Sequence, residues 1–432
     1  MNAHAAFKIA DPQLHAHHPF RPVQYLGSKL RALDEIRDAV RTLTSPGARI
    51  ADLFTGSTVV AQSLALDGAR VSALDTQQYA QVFASALLGV GRSTKEGISP
   101  QTIASQALAQ LDQQTDTWRD LESEETGAIA SSDAPRLRRL YNCLPLAWRS
   151  PSETAAPLSI TNVYAGSYFG VRQAREIDAI RSAVHQMHRR GELSDWQASA
   201  ALTGLMHAAS LSVHSAGKHF AQPLKDGSGN TAFLDARLLA DRSIQLMDRF
   251  QDGCNRVATT PFDNSDRHTA IRASAEDFTR SDKEHYDLYY LDPPYTAQQY
   301  SRFYHLLETL AGHEAPKLPI DSPISAGLYP PNRYKSAFSS RRNAPKAMEA
   351  ILERISKNGS SALISYSASK PGSDGNARMI TLEELLSICI RTFGTSNVEC
   401  LNMPFRYRQF NSSRNSNETR DDSEILVLCK PA

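Results

Sequence analysis

Apolar and polar positions follow one another along the chain in blocks that predict strands and helices in turn. Residues 50–54 and 286–291 are short apolar runs of the length expected for buried strands. The first run is followed by a glycine-containing turn, a helical stretch at residues 59–66 and a further strand at residues 70–74. Strand, turn, helix and strand in this order predict a parallel α/β unit.

The last third of the chain repeats the alternation. Its pattern predicts helices at residues 344–356 and 382–392, and strands at residues 360–366, 398–403 and 424–428. The fold expected from these elements is a mostly parallel, doubly wound Rossmann-like sheet, with the two late strands able to pair antiparallel as edges.

Residues 91–255 break this pattern and carry long helical periodicities instead, with no nucleotide-binding motif. A segment of about 165 residues is too long for a simple crossover, so we expect a mainly helical inserted domain. Residues 21–90 and 256–432 would then form one α/β domain, interrupted by this insert. The polar residues 1–20 are predicted to be a disordered tail.

The composition restricts the class of protein but does not identify functional residues. The chain has 432 residues, of which 41% are hydrophobic and 22% charged, as is ordinary for a globular protein. Its five cysteines lie far apart, so neither a metal site nor a disulfide framework is expected. Because there is neither a signal peptide nor an apolar run of about 18 residues, we expect a cytoplasmic protein with no membrane segment. The net charge of +1 argues neither for nor against a nucleic-acid partner.

Candidate chemistry is concentrated where the apolar run 286–291 ends, because the sequence continues Asp292, Pro293, Pro294, Tyr295. The two prolines end the strand and supply no backbone N–H, so the carboxylate and the carbonyls remain as acceptors beside an aromatic ring. An exocyclic amine on a flat base needs acceptors for its hydrogens and a ring for its π-face. Taken alone, the tetrapeptide is equally compatible with an ordinary turn.

A second motif lies upstream, in the unit at residues 50–75. Asp52 and Phe54 belong to the strand that precedes Gly56, and Asp75 ends the next strand. This is the wiring of a nucleoside-binding α/β unit, in which the glycine allows close backbone approach and the acid accepts ribose hydroxyls. A plain crossover with a surface aspartate is the alternative.

With both motifs present, the chain resembles amino-methyltransferases that use S-adenosylmethionine (SAM), and more narrowly the Dam-type, alpha-class DNA adenine-N6 methylases. The segment from Tyr25 to Lys29 (YLGSK) is similar to the element that opens this family and contacts the cofactor. Asp277 and Phe278 match the acid and the aromatic that the family places against the cofactor's adenine. The sequence around Asp292 is similar to the FokI-type modification enzymes.

The resemblance implies SAM as the cofactor and no metal. Its predicted binding residues are Tyr25, Lys29, Asp52, Phe54, Gly56, Asp75, Asp277 and Phe278. The implied activity is site-specific methyl transfer to N6 of an adenine that has left the DNA duplex. The implied catalytic residues are Asp292, Pro293, Pro294 and Tyr295, with Asp292 and the Pro293 carbonyl accepting the amine hydrogens. A restriction endonuclease or other defence-system subunits are the implied partners besides double-stranded DNA.

One residue departs from the family's F-x-G-x-G turn, because Thr58 stands where the second glycine is expected. A β-branched residue does not easily take a positive φ. We therefore expect either a helical backbone at Thr58 or reduced cofactor affinity. The helical backbone is favoured because Ser57 or Thr58 can cap the helix that follows.

Basic stretches without acids predict contacts with nucleic-acid phosphates. One stretch, at residues 331–346, contributes Arg333, Lys335, Arg341 and Arg342, and a second lies at residues 401–417.

The insert at residues 91–255 lies where the alpha class keeps its target-recognition domain, so the resemblance implies that role for it. It contains a loop whose Lys218, His219 and Gln222 are side-chain types that read base edges. The same loop is equally compatible with a capped helix end that packs on the core.

Three alternatives stay open at this point. Cytosine-N4 methylation uses the same chemistry, although that class more often carries serine in place of Asp292. RNA methylation is less favoured by the alpha-class order of the motifs. A non-catalytic DNA-binding scaffold with a methylase fold is supported only by Thr58.

Overall fold

The computed structural model describes residues 18–94, 96–112, 116–146, 159–224, 231–262, 267–312, 327–330, 332–368, 377–406 and 423–431. Within these residues seven strands form one sheet. The strands are β1 Arg49–Asp52, β2 Arg70–Asp75, β3 Thr269–Arg272, β4 Leu288–Leu291, β5 Ser361–Ala368, β6 Val398–Arg406 and β7 Ser423–Cys429.

Helices cover both faces of this sheet and fill the long connection between β2 and β3. In chain order the α-helices are α1 Leu33–Leu43, α2 Val59–Leu66, α3 Gln78–Leu87, α4 Pro100–Asp112, α5 Asp116–Ala130, α6 Ala134–Asn142, α7 Ile160–Tyr164, α8 Val171–Arg189, α9 Asp195–Ser212, α10 Thr231–Ser243, α11 Leu246–Ala258, α12 Ala275–Ser281, α13 Tyr300–Phe303, α14 His305–Ala311, α15 Ala344–Lys357 and α16 Leu382–Phe393.

The sheet order is β3-β2-β1-β4-β5-β7-β6, and the pairs among β1 to β5 are all parallel. The chain leaves β1 on one side for β2 and returns on the other side as β4. The carboxyl ends of β1 and β4 therefore form a topological switch point, where doubly wound sheets bind their ligands. The predicted fold class is confirmed.

The late strands differ from the prediction of antiparallel edges. β7 lies between β5 and β6 and is antiparallel to both, so it is interior, and the edge strand β6 runs parallel to the rest. The reason is burial: residues 424–429 are all buried and need cover on both faces, whereas residues 399–402 of β6 are exposed. β3 was not predicted at all, because it is a half-exposed edge strand without an apolar run.

The inserted helices share one core with the catalytic domain. In α8 the apolar stripe of Ile177, Ile180, Val184 and Met187 is buried, and α9 is buried on almost every side. Side chains of α3 and α14, such as Phe83 and Leu307, pack in the same cluster. A helix that is apolar all round requires such cover, and α9 receives it inside the core that it shares with α3 and α14.

Two local predictions need correction. The apolar pattern after residue 299, with Tyr300, Tyr304 and Leu307 on one face, predicts a single helix, but the helix is broken at Tyr304, where α13 ends and α14 begins. At the amino terminus, residues 1–17 of the predicted tail lie outside the described residues. Phe20 packs against the core, with its N–H donating to Gln62 at 2.9 Å, so this end of the tail belongs to the folded part. Among the described helices, none combines the length and apolar character of a membrane span.

Candidate active site

Three acidic residues mark neighbouring strand ends at the switch point. Asp52 ends β1, Asp75 ends β2, and Asp292 directly follows β4. Because these strands are parallel and adjacent, their carboxyl ends meet at one edge of the sheet. The two predicted motifs, which lie more than 200 residues apart in sequence, are thus joined in one site.

Two neighbouring cavities open along this edge. The main cavity measures about 720 Å³, part of it open to solvent, and reaches from Asp75 past Asp292 to Tyr334. The inner cavity measures about 280 Å³ and lies over the glycine turn. Tyr25 and Phe54 line both cavities. Their position at the switch point, rather than their volume, indicates a ligand site.

Asp75 is held in place by the backbone around it. Its carboxylate accepts the N–H of Gly56 at 3.1 Å and the N–H of Gln77 at 2.9 Å. Burial raises the pKa of Asp75 to about 6, although these backbone donors favour the charged form. The carboxylate also lines the main cavity, so it can accept hydrogen bonds from a ligand's hydroxyls.

Asp52 is more deeply buried and is left partly unsatisfied. Its Oδ1 accepts the N–H of Phe54 at 3.4 Å, and its Oδ2 has no hydrogen-bond partner of normal geometry among the described residues. Burial raises the pKa of Asp52 to about 7, although the Thr55 hydroxyl favours the charged form. A buried orphan acceptor in the wall of the inner cavity fits a ligand that brings a donor.

Gly56 is required by the close approach of Tyr25. The glycine has a φ of 49°, and an added Cβ would come within 2.7 Å of the Tyr25 hydroxyl oxygen. The Tyr25 ring is itself fixed by stacking on Tyr304, with ring centroids 4.7 Å apart. The predicted opening segment therefore lies on the glycine turn and separates the two cavities.

The backbone at Thr58 is not helical, so the favoured interpretation of this residue was wrong. Thr58 has a φ of 64° and a ψ of 7°, the left-handed conformation of a glycine. Its hydroxyl donates to the Ser57 carbonyl at 2.7 Å and accepts from Gln62 at 3.0 Å instead of capping α2. The turn keeps its glycine-like course although a threonine stands there.

Asp292 meets a lysine from the amino-terminal segment. The Lys29 ammonium lies 2.9 Å from Asp292 Oδ2 and donates to the Gly27 carbonyl at 3.0 Å. The Tyr295 hydroxyl donates to the other oxygen of Asp292. Lys29, predicted as a cofactor ligand, does line the inner cavity, and it also contacts the predicted catalytic carboxylate.

A residue that the sequence did not single out completes this group. Glu424, at the start of β7, has its carboxylate 3.7 Å from the Lys29 ammonium. Burial acts to lower the pKa of Lys29, but attraction to Asp292 and Glu424 outweighs it and raises the pKa. The available signal was a single charge inside the apolar strand Ser423–Cys429.

Asp277 and Phe278 do not join the site. The Asp277 side chain is 65% exposed and pairs with Arg280 on the same helix, while Phe278 is buried in the core behind the sheet. The neighbouring Ala275 and Glu276 line the main cavity instead. The residues that line this wall therefore precede the predicted pair by two positions on the same helix.

The predicted phosphate-binding residues lie in different surroundings. Lys335 is exposed between Tyr334 and Ser336, which both line the main cavity, so it lies at the mouth. Arg342 is exposed as well, but Arg341 is held by both oxygens of Glu384, at 2.9 and 3.1 Å.

Arg333 lies over the ring of Tyr329, 4.2 Å from its centroid. In the second basic stretch, residues 407–417 lie outside the described residues.

The three residues of the 216–224 loop that were predicted to read bases lie in different surroundings. Lys218 donates to Asp241 at 2.7 Å and to the carbonyls of Leu211 and Val213, each at 2.9 Å, so its ammonium is used inside the protein, which does not favour the predicted role in reading bases. His219 packs edge-on against Phe303, whereas Gln222 is exposed. Only Gln222 keeps its polar end fully available.

The loop is anchored on the helices that follow the Asp292 segment. The Phe220 N–H donates to the Phe303 carbonyl at 2.9 Å, and the Phe220 carbonyl accepts from Tyr168 at 2.6 Å. Within the described residues no group of three or more His, Cys, Asp or Glu side chains is placed to hold a metal ion.

The sheet order and the site at its switch point together define a Rossmann-like methyltransferase. A family model matches residues 25–188 and 255–321, more than half of the chain, and its description is D12 class N6 adenine-specific DNA methyltransferase. The chain belongs to this family. The match includes the Tyr25 segment, the glycine turn and the Asp292 segment.

Curated relatives carry related names. The chain is 26% identical over 264 residues to the modification methylase StsI of Streptococcus sanguinis, covering 60% of this chain and 34% of the relative. It is 24% identical over 266 residues to the modification methylase LlaI of Lactococcus lactis subsp. lactis (61% and 37%). It is 26% identical over 240 residues to the type II methyltransferase M.FokI of Planomicrobium okeanokoites (55% and 31%). The chain thus matches about a third of the length of each relative.

Proposed function

We propose that the protein transfers a methyl group from SAM to N6 of an adenine in double-stranded DNA. The observation that carries this proposal is the position of Asp292, a carboxylate on the wall shared by the two cavities and held there by Lys29 and Tyr295. Family membership supports the same reaction, and the names of the relatives support a role in modification alongside a restriction activity.

The cofactor side of the site is formed by the ends of β1 and β2. Asp75 would accept the ribose hydroxyls, and the orphan oxygen of Asp52 would accept an ammonium hydrogen. Phe54 and Tyr25 would cover the ligand's apolar surface, since both line the two cavities. The bound cofactor supplies a methyl group that is already activated by the positive charge on its sulfur. The protein's main contributions are therefore position and electrostatics.

The amine side is formed by the segment after β4. The adenine N6 is a poor nucleophile because its lone pair is delocalised into the ring. Asp292 and the Pro293 carbonyl would accept its two hydrogens and so favour the rehybridised nitrogen. Tyr295 would stack on a base that has left the duplex. In this structure the Tyr295 hydroxyl donates to Asp292, so the incoming amine would share this carboxylate with it.

The DNA side is proposed to include Lys335 at the cavity mouth and the exposed Arg342, which would contact phosphates. Arg341 would contribute less, because Glu384 already neutralises it. Gln222 remains the proposed reader of base edges in the 216–224 loop.

The direct test uses the full chain with DNA and SAM labelled on its methyl group. We expect label on N6 of adenine within a defined sequence, identified by digesting the DNA to nucleosides. Label on N4 or C5 of cytosine, or label on RNA alone, would show that the target is wrong. No transfer to any nucleic acid would favour the scaffold alternative. That alternative rested on Thr58, whose left-handed backbone now leaves the turn intact.

A further inference from the structure

We propose that Glu424 is a positioning residue that takes Lys29 over from Asp292 when the target amine binds. This inference rests on the proposed function, in which Asp292 must accept a hydrogen bond from the amine. It concerns a residue of β7, outside the part of the chain that the family model matches.

The geometry presents one cation to two acids. The Lys29 side chain is 3% exposed and its ammonium lies 2.9 Å from Asp292 and 3.7 Å from Glu424. The two separations differ by less than 1 Å, so a small movement of the ammonium exchanges its closer partner. The Glu424 side chain is only 11% exposed, so it has little water to solvate it and depends on this lysine.

Glu424 reaches this place because of the unexpected strand order. β7 pairs with β5 through Glu424 and Ser367, which directs the start of β7 to the edge where Asp292 lies. Among the described residues, the charged groups that face Glu424 are Lys29 and Asp292, with the guanidinium of Arg378 held on the Ser367 carbonyl and hydroxyl. The Tyr295 hydroxyl faces the same group from the Asp292 segment.

The consequence for the reaction follows from competition at Asp292. The amine of the base must use a carboxylate that already accepts from Lys29. Releasing a buried ammonium without a second partner is costly, because a buried charge is destabilising when it is unpaired. Glu424 supplies that second partner, so Lys29 can leave Asp292 while remaining paired and charged.

The arrangement also predicts a pH effect. Burial and the neighbouring Asp292 raise the pKa of Glu424 above its ordinary value, although Lys29 opposes this. As the pH falls and Glu424 takes a proton, Lys29 loses its second charged partner and binds Asp292 more firmly. Methylation by the unmodified protein should therefore decline towards acidic pH.

The test compares Glu424→Gln with Glu399→Gln, a matched change at an exposed glutamate of the neighbouring strand β6. Glu424→Gln keeps the side-chain shape and mimics the protonated acid. We expect kcat to fall roughly tenfold or more at neutral pH, with KM for DNA and for SAM nearly unchanged. The acidic decline should be smaller in Glu424→Gln, where protonation of Asp52 and Asp75 accounts for the remainder, and it should keep its full size in Glu399→Gln. Glu424→Asp should recover part of the rate.

Three outcomes would overturn the proposal: an unchanged kcat in Glu424→Gln, a loss confined to KM, or an acidic decline identical to that of the unmodified protein. A second measurement does not need turnover. Because the pKa of Glu424 is raised in the folded state, it makes unfolding stability fall as pH rises above the ordinary value for glutamate, and Glu424→Gln should remove that part of the slope. If this change is seen while the unmodified protein methylates nothing, the proposed function fails and the charge arrangement stands.

Discussion

Two lysines of this protein each meet a buried carboxylate, and they differ in what their partners face. Lys218 donates to Asp241 and to two backbone carbonyls, and Asp241 also receives His214 at 2.8 Å, so the group is closed. Lys29 is shared between Asp292 and Glu424, and Asp292 faces a cavity. A closed ion pair holds a fold together, whereas a pair with one carboxylate on a cavity can exchange partners with a ligand.

The two pKa shifts follow the same division. Burial lowers the pKa of Lys218 below its ordinary value, although Asp241 acts to raise it. For Lys29 burial acts in the same direction, but two carboxylates outweigh it and raise the pKa. The site at the switch point thus holds an excess of acid around one cation, which the closed group in the insert does not.

The largest effect is expected from Asp292→Ala, which should lower the rate of methylation but not the affinity for SAM. Methylation should fall by about 10³-fold, because the acceptor for the target amine is lost, an effect of the size seen when one stabilising contact of a transition state is removed. SAM affinity should stay within a few-fold, since Asp75 and Asp52 remain. Turnover of labelled SAM and cofactor titration give the two numbers.

Asp292→Asn is the matched control, because it keeps the shape and removes the charge. It should be nearly as inactive as Asp292→Ala. A variant of either kind that methylates at close to the normal rate would remove Asp292 from the reaction. A large loss of SAM affinity would assign it to the cofactor site instead.

The opposite result is expected for Lys218→Met. The change leaves a buried carboxylate with fewer donors, so the free energy of unfolding should fall by about 2 kcal/mol, as measured by urea denaturation. The methylated sequence should stay the same. Gln222→Ala, in the same loop but exposed, should leave stability within about 0.5 kcal/mol and alter the methylated sequence. If Lys218→Met shifts the sequence preference without loss of stability, the lysine does read bases.

The difference between the two lysines also shows which parts of the site could be predicted from the sequence. The positions of Asp52, Asp75 and Asp292 at strand ends could be predicted, because strand ends and turns are local features, and the parallel topology brings the three residues to one edge of the sheet. The part played by Glu424 depends on β7 lying between β5 and β6, a long-range pairing that no local pattern encodes.

The same reason explains the failures. Lys218 is a side-chain type that can read base edges, but its ammonium is bound by Asp241, which lies 23 residues away on another helix. Thr58 was expected to avoid a left-handed backbone on intrinsic preference, but it adopts one, and its hydroxyl accepts from Gln62 one turn further along the chain. Single-residue preference fails here because it does not include the hydrogen bonds that a neighbouring side chain supplies.

A smaller effect is expected at Asp52, one of the acids at the switch point, and it concerns the free energy of unfolding. In the folded state the pKa of Asp52 is raised to about 7, so the folded protein binds more protons than the unfolded chain between about pH 4 and pH 7. Its stability therefore falls as the pH rises through that range. Asp52→Asn should raise the free energy of unfolding at pH 8 by on the order of 2 kcal/mol, while weakening SAM binding.

The comparison requires unfolding curves of the cofactor-free protein across pH. The profiles of Asp52→Asn and the unmodified protein should converge near pH 4, where both side chains are neutral. Asp75, with a pKa of about 6, should leave a residual slope in the variant. If Asp52→Asn is destabilising at pH 8, the carboxylate is satisfied in the free protein and does not await a donor.

The smallest effect is expected at Thr58, where the site carries backbone strain. A β-branched residue in the left-handed region costs about 1–2 kcal/mol, and Thr58→Gly removes that cost. The same change also removes the hydroxyl that accepts from Gln62, a hydrogen bond that contributes about 1 kcal/mol. The two terms nearly cancel, so Thr58→Gly should change stability by less than about 1 kcal/mol. Thr58→Ala keeps the strain and loses the bond, so it should be clearly less stable than Thr58→Gly by thermal denaturation. If Thr58→Ala is instead the more stable of the two variants, the left-handed backbone at residue 58 carries no strain. The turn at the cofactor site would then be as free of strain as the closed group around Lys218.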